Sequence, residues 1–156
     1  MTPSVYVVCH GNVCRSPLAA LAFACAGVEV RQGGFVTAGR RAPPWVRAFA
    51  RLKVLAEGAS SPPQQALDPH RSRLVEPAEL AEATHIFYMD SGNRRRLAGL
   101  LPRGDRDERL ICLATYAGET RVPDPMFLTP AARPSVLELV WTAATAAAQQ
   151  LRAGTT

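Results

Sequence analysis

The chain opens with a short apolar run that ends on a thiol and turns, over the seven residues Cys9 to Arg15, toward a helix. Val5-Tyr6-Val7-Val8 reads as a buried strand. Leu18, Leu21, Ala22 and Cys25 then recur at helical spacing, with a natural stop at Gly27. Ser16 is a good N-cap and Pro17 suits the first helical position. A buried strand that feeds straight into a helix is the building unit of a parallel sheet, so this one segment already narrows the fold.

The rest of the chain repeats the alternation. Phe35-Val36-Thr37-Ala38, residues 84–89 and residues 110–113 are further strand candidates. Pro43-Pro44 opens a helix over about Trp45 to Ala56, and Pro77 opens a short one over residues 76–83. Asp90 caps a helix that runs to about Leu101 and ends at Pro102. Val136, Val140, Ala144, Ala147 and Leu151 lie along one face of a long final helix. Residues 59–69 and 123–130 read as loops. Strands alternating with helices predict a three-layer α/β fold, a parallel sheet covered by helices on both faces. Ligands bind such sheets at the carboxyl ends of the strands. Cys9, Gly39, Asp90 and Asp124 each follow a predicted strand.

A length of 156 residues fits a single domain over 1–156, fraying at about residues 152–156. No apolar stretch approaches the roughly 20 residues of a membrane span. Met1-Thr2-Pro3-Ser4 lacks the basic start of a secretory signal, and a cytoplasmic location is expected. The net charge of +5 comes mainly from arginine, most densely at Arg94-Arg95-Arg96, and favours anionic partners. No aromatic-interleaved basic surface appears, so nucleic acid is not expected and the triplet reads as a solvated helix face. The four cysteines, Cys9, Cys14, Cys25 and Cys112, form neither a zinc pattern nor a disulfide framework. Reduced thiols and no metal are expected, with Cys25 and Cys112 as small core residues.

The chemistry concentrates in Cys9-His10-Gly11-Asn12-Val13-Cys14-Arg15-Ser16-Pro17. Free backbone N–H groups at a helix N-terminus favour an anion, and the same field favours a thiolate. Arg15 offers a planar, bidentate clamp for a phosphate. These parts suit phosphoryl transfer through a covalent cysteine intermediate. Cys14 either forms a disulfide with Cys9 under oxidation or fills space beneath the loop.

The chain resembles the low-molecular-weight protein tyrosine phosphatases. The resemblance rests on Val7-Val8-Cys9-His10-Gly11-Asn12-Val13-Cys14-Arg15-Ser16-Pro17, Thr37-Ala38-Gly39, His70-Arg71-Ser72-Arg73, Met89-Asp90 and Asp124-Pro125. It implies a flavodoxin-like sheet of four parallel strands in the order 2-1-3-4. It also implies Cys9 as nucleophile, Arg15 as the phosphoryl clamp, and Asp124 as general acid and then base. His10, Gly11, Asn12, Val13, Cys14 and Ser16 would form the phosphate-binding loop, with Asn12, Ser16 and His70 holding its shape. Thr37 stands where the family more often has serine, and its hydroxyl would serve similarly. The implied partner is a phosphotyrosine-containing protein, with inorganic phosphate or other oxyanions as inhibitors, no cofactor, no membrane, and a monomer or weak dimer.

The chain also departs from that pattern. His10 replaces an apolar residue or threonine, and is a rim residue, an aid to the thiolate when protonated, or an inert loop residue. Met126-Phe127 replaces an aromatic pair, which leaves Trp45, Met126 and Phe127 as candidate walls of a phenyl slot. Phosphoarginine phosphatases of the same superfamily carry threonine where this chain has Val13. A thiol-dependent arsenate reductase would need a relay of further cysteines; residues 79–90 contain none, and Cys112 alone does not complete one. A non-catalytic phosphate-binding module would lose a reactive group, yet Cys9, Arg15 and Asp124 are all present. A basic surface docking an acidic protein would add a partner and leave the chemistry unchanged.

Overall fold

The structure is a computed structural model that describes residues 2–57 and 66–154. Four parallel strands, β1 (Ser4–Val8), β2 (Glu29–Gly33), β3 (His85–Tyr88) and β4 (Leu110–Cys112), pair in the order β2-β1-β3-β4. Five helices connect and cover them: α1 (Arg15–Cys25), α2 (Pro44–Ala56), α3 (Pro77–Glu82), α4 (Ser91–Ala98) and α5 (Arg133–Ala153). The three-layer arrangement and strand order match the expectation.

Alternation along β1 splits the core in two, because successive side chains leave a strand on opposite faces. Val5 and Val7 pack with α1, α2, α5 and Phe87. Tyr6 and Val8 pack on the other face with Ile86, Leu80 of α3 and Leu97 of α4. Val136, Val140, Ala144 and Ala147 lie on the buried face of α5 with Leu137, Trp141, Ala143 and Ala148, while Leu151 is half-buried. The helix continues through Arg152, whose Nη1 donates to the Ala26 carbonyl at 2.9 Å.

Three expectations are corrected. The second strand is Glu29–Gly33, not Phe35-Val36-Thr37-Ala38. As an edge strand it carries Glu, Arg and Gln and stays half-buried, so its sequence has little apolar signal. Phe35 lies just past it, its N–H donating to the His10 carbonyl at 2.9 Å. The N-cap of α1 is Cys14, with Ser16 and Pro17 already inside the first turn, because the preceding loop enters the helix two residues earlier than the Ser-Pro signal suggests. Cys25 and Cys112 are half-buried, not core residues; both lie at element ends where the packing opens to solvent. Of the predicted loop at 59–69, residues 59–65 lie outside the described residues.

Backbone packing behind the loop after β1 requires a glycine. A Cβ on Gly34 would stand 2.9 Å from both the Asn12 Cβ and the Asn12 backbone nitrogen. Backbone cannot yield as a side-chain tip would. Gly34→Ala is therefore expected to destabilise the fold by about 1–3 kcal/mol, the usual cost of overpacking, and to weaken oxyanion binding. Urea unfolding and phosphate titration measure both; a wild-type value in each would contradict the close approach.

Candidate active site

The turn between β1 and α1 wraps around the sulfur of Cys9. The N–H groups of Asn12 and Ser16 reach Sγ at 3.2 and 3.4 Å, and the Ser16 hydroxyl lies 3.0 Å away. Cys14 is buried in the same loop. Burial, reinforced by Cys9 and Asp124, pushes its thiol up to about 12 against the opposing pull of Arg15 and Arg40. Cys14 therefore remains a neutral thiol under the loop, and both loop cysteines are free.

The loop's curl rests on one left-handed residue. Asn12 has φ 54° and is fully buried. Asparagine tolerates that region, and its side chain secures it here. Its Nδ2 donates to Ser16 Oγ at 2.7 Å and to Gln32 Oε1 at 2.9 Å, while its Oδ1 accepts from the Arg73 N–H at 2.9 Å. The Asn12 carbonyl meets His70 Nε2 at 2.8 Å. Burial holds His70 below the ordinary histidine range, against the raising effect of that bond, so a neutral ring supports the loop.

The N–H groups of His10, Gly11, Val13, Cys14 and Arg15 donate no hydrogen bond to protein among the described residues. Backbone donors in a folded loop need partners. Five such donors on the loop between Cys9 and α1 are the kind of group that suits an oxyanion.

Arg15 is 1% exposed, and one nitrogen of its fork is fully committed. Nη1 donates to Asp90 Oδ2 at 2.7 Å and to the Val122 carbonyl at 2.9 Å. Nη2 carries no protein hydrogen bond among the described residues and stands 3.4 Å from Asp124 Oδ2. A guanidinium pinned at one nitrogen presents the rest of its fork in a fixed plane. Asp90 does double duty, accepting from the Asn93 N–H at 2.9 Å as the N-cap of α4. Burial pushes the Asp90 carboxyl up, but the bonds from Arg15 and Asn93 outweigh it and hold the group below its ordinary range. The sequence assigns Asp90 only a capping role; its partner Arg15 lies 75 positions away, beyond any local signal.

Asp124 caps the short turn Pro125–Phe127, its Oδ1 accepting from the Met126 N–H at 3.0 Å. A cavity of about 270 Å³ stands over Cys9, lined by the loop together with Val36, Arg40, Asp124, Met126 and Phe127. Two residues depart from their expected places. Trp45 does not line the cavity; it packs on the core and stacks under the Arg133 guanidinium at 4.4 Å, since α2 turns its ring toward α5. Thr37 is exposed and offers only its carbonyl, which accepts from the Ser72 hydroxyl at 2.7 Å. Buried Ser72 ties the segment from Thr37 to Arg40, not the loop after β1. Its backbone and hydroxyl also bind Arg40, whose N–H donates to Ser72 Oγ at 2.9 Å. His10 is exposed at the rim, and Gly11, though it lines the cavity, does not adopt a positive φ.

The family model for low molecular weight phosphotyrosine protein phosphatases matches residues 4–155. The chain belongs to that family. Among solved structures it is similar to the tyrosine phosphatase Wzb of Escherichia coli K30 in complex with sulphate, at 19% identity and TM-score 0.79, covering 97% of this chain and 99% of that one. It is also similar to the arginine phosphatase YwlE of Geobacillus stearothermophilus, at 24% identity and TM-score 0.76, covering 98% and 95%. Wzb of Vibrio vulnificus in complex with benzylphosphonate matches at 20% identity and TM-score 0.79, covering 96% and 99%. No curated protein matches the sequence. No helix among the described residues is long and apolar enough to cross a membrane, and no group of three or more metal-ligating side chains occurs among them.

The Arg15–Asp90 pair carries a prediction with a definite sign. A carboxyl held below its ordinary value of 3.8 stabilises the folded state above that pH, and the stabilisation is lost as pH falls through the folded value. Asp90→Asn leaves Arg15 buried with one partner short, at a cost of about 3 kcal/mol at neutral pH. The gap between variant and wild type in urea unfolding is expected to close as pH is lowered below 3.8. A gap of constant size across that range would contradict the pairing.

Proposed function

We propose that this protein hydrolyses phosphotyrosine in protein substrates through a phosphocysteine intermediate on Cys9. The observation that carries the reading is the makeup of the walls above the sulfur. Val13, Val36, Met126 and Phe127 provide apolar surface for a phenyl ring, and Arg40 places a cation beside them. The one carboxylate lining this cavity among the described residues, Asp124, is 3.4 Å from Arg15. Phosphoarginine would bring its own cationic guanidine next to Arg40 with no uncommitted carboxylate to receive it. Val13 also lacks the hydroxyl that threonine supplies in the arginine-directed enzymes. The similarity to the tyrosine phosphatase Wzb in complex with sulphate and to Wzb in complex with benzylphosphonate, an oxyanion and a phosphonate carried on a benzyl group, is consistent with the same preference.

The chemistry follows from the geometry. The phosphoryl oxygens occupy the ring of unpartnered N–H groups, and the Arg15 fork clamps two of them. The Cys9 thiolate attacks phosphorus opposite the leaving oxygen; an S–P bond forms as the P–O bond to tyrosine breaks. Asp124 gives its proton to the departing phenolate. It then takes a proton from water as that water attacks phosphorus, which breaks the S–P bond and releases phosphate. Acid–base assistance of this kind is typically worth about a hundredfold to ten-thousandfold. None of these steps calls on a metal, so activity is expected to survive chelator.

The test is a peptide panel with two variants. Phosphotyrosine peptides are expected to turn over far faster than phosphoarginine or phosphoserine peptides, and Cys9→Ser to abolish turnover. Asp124→Asn should slow a poor leaving group such as phenol much more than an activated nitrophenol. Preferential hydrolysis of phosphoarginine, or equal losses for both leaving groups, would contradict the substrate and the acid role respectively.

A further inference from the structure

A second hollow, of about 670 Å³, adjoins the one over Cys9. The two share His10, Arg15, Asp124 and Phe127, so the chain neighbours of a residue held in the first are within reach of the second. Two carboxylates line it, Asp90 and Asp124, and both are in ion-pair contact with the buried Arg15. Three more guanidiniums line it as well, those of Arg95, Arg96 and Arg121. All three residues are exposed, and none has a carboxylate within ion-pair distance among the described residues.

Solvated arginines are ordinary; convergence from separate elements is not explained by solvation. Arg95 and Arg96 sit in the last turn of α4, where the helix dipole favours cations. That accounts for two of the three. Arg121 comes from the segment between β4 and Asp124, and no helix end favours it there. Arg96 is also restrained, its guanidinium lying 5.8 Å from the centroid of the Phe35 ring. Arg94, the remaining member of the triplet, points elsewhere and donates to the Asp105 carbonyl at 3.3 Å.

We infer that this hollow is a subsite for a second anionic side chain of the substrate, an acidic or phosphorylated residue close in sequence to the phosphotyrosine. The inference rests on the phosphotyrosine reading above. Planar guanidinium forks bind carboxylate and phosphate alike in two-point contacts, and three of them around one hollow favour a dianion most. Their exposure makes the attraction salt-sensitive and directs it to substrate capture more than to the chemical step.

The test compares kcat/KM for four phosphotyrosine peptides of one length: neutral, with a flanking aspartate, with a second phosphotyrosine, and with a flanking lysine. Scanning the flanking group through the neighbouring positions locates the register. The second phosphotyrosine and the aspartate are expected to exceed the neutral peptide by about tenfold and severalfold, mainly through KM, with the lysine peptide poorest. High salt should compress the series. In Arg95→Ala/Arg96→Ala/Arg121→Ala the ratio of acidic to neutral peptide should fall to about one. Arg121→Glu should shift preference toward the lysine peptide. Hydrolysis of all four peptides at equal rates would overturn the subsite and leave the phosphotyrosine reading intact. So would an acidic preference that survives the triple substitution. No hydrolysis of any of them, with phosphoarginine peptides cleaved instead, would overturn both.

Discussion

One left-handed residue determines the shape of the site. Asn12 turns the chain so that the loop folds back over Cys9, and it is fully buried. Non-glycine residues adopt that conformation at a cost and persist in it only when their surroundings hold them there. Here the holders come from the whole sheet edge: Gln32 at the end of β2, Arg73 and His70 from the segment before α3, and Ser16 inside α1. The close approach of Gly34 closes the loop from behind. The loop's shape thus depends on the sheet order, because β2 beside β1 brings Gln32 and Gly34 against the loop.

Electrostatics then divides the work among like groups. Two cysteines share the loop, but Cys9 collects donors while burial keeps Cys14 a neutral thiol. Two aspartates face Arg15. Asp90 pins one nitrogen of the guanidinium at 2.7 Å, and Asp124, on a different segment, stands 3.4 Å from the other nitrogen and lines the cavity over Cys9. Position separates the two: Asp90 is held by Arg15 and the Asn93 N–H, whereas Asp124 faces the cavity over Cys9. Arg95, Arg96 and Arg121, with no ion-pair partner among the described residues, extend the positive field of Arg15 outward from the cavity.

Much of this was legible in the sequence, and the exceptions have a common cause. The strand–turn–helix unit, the spacing of Cys9 and Arg15, and the alternation that sets a parallel sheet are local signals. Residues that matter through distant contacts left no such trace. Gln32 reads as a polar residue of an undistinguished segment, and the edge strand around it, with Glu, Arg and Gln, was displaced in favour of the more apolar Phe35-Val36-Thr37-Ala38. Ser72 and Arg40 are paired only because a loop returns 32 positions later. Asp90 was legible as a cap from its place before α4, but not as the partner of Arg15. The aromatic character of Trp45 suggests a pocket wall, whereas the direction of α2 commits it to the core and to Arg133.

The central claim is that the loop presents a phosphoryl group to the sulfur of Cys9 and to no other group. Acid-quenched mass spectrometry of the Asp124→Ala variant during turnover of an activated aryl phosphate tests it most directly, since removing the base slows breakdown of the intermediate. A phosphoryl adduct confined to the peptide that carries Cys9, and localised to its sulfur, is the expected result. An adduct on Cys14, on a histidine or on no residue, with turnover continuing, would contradict the account.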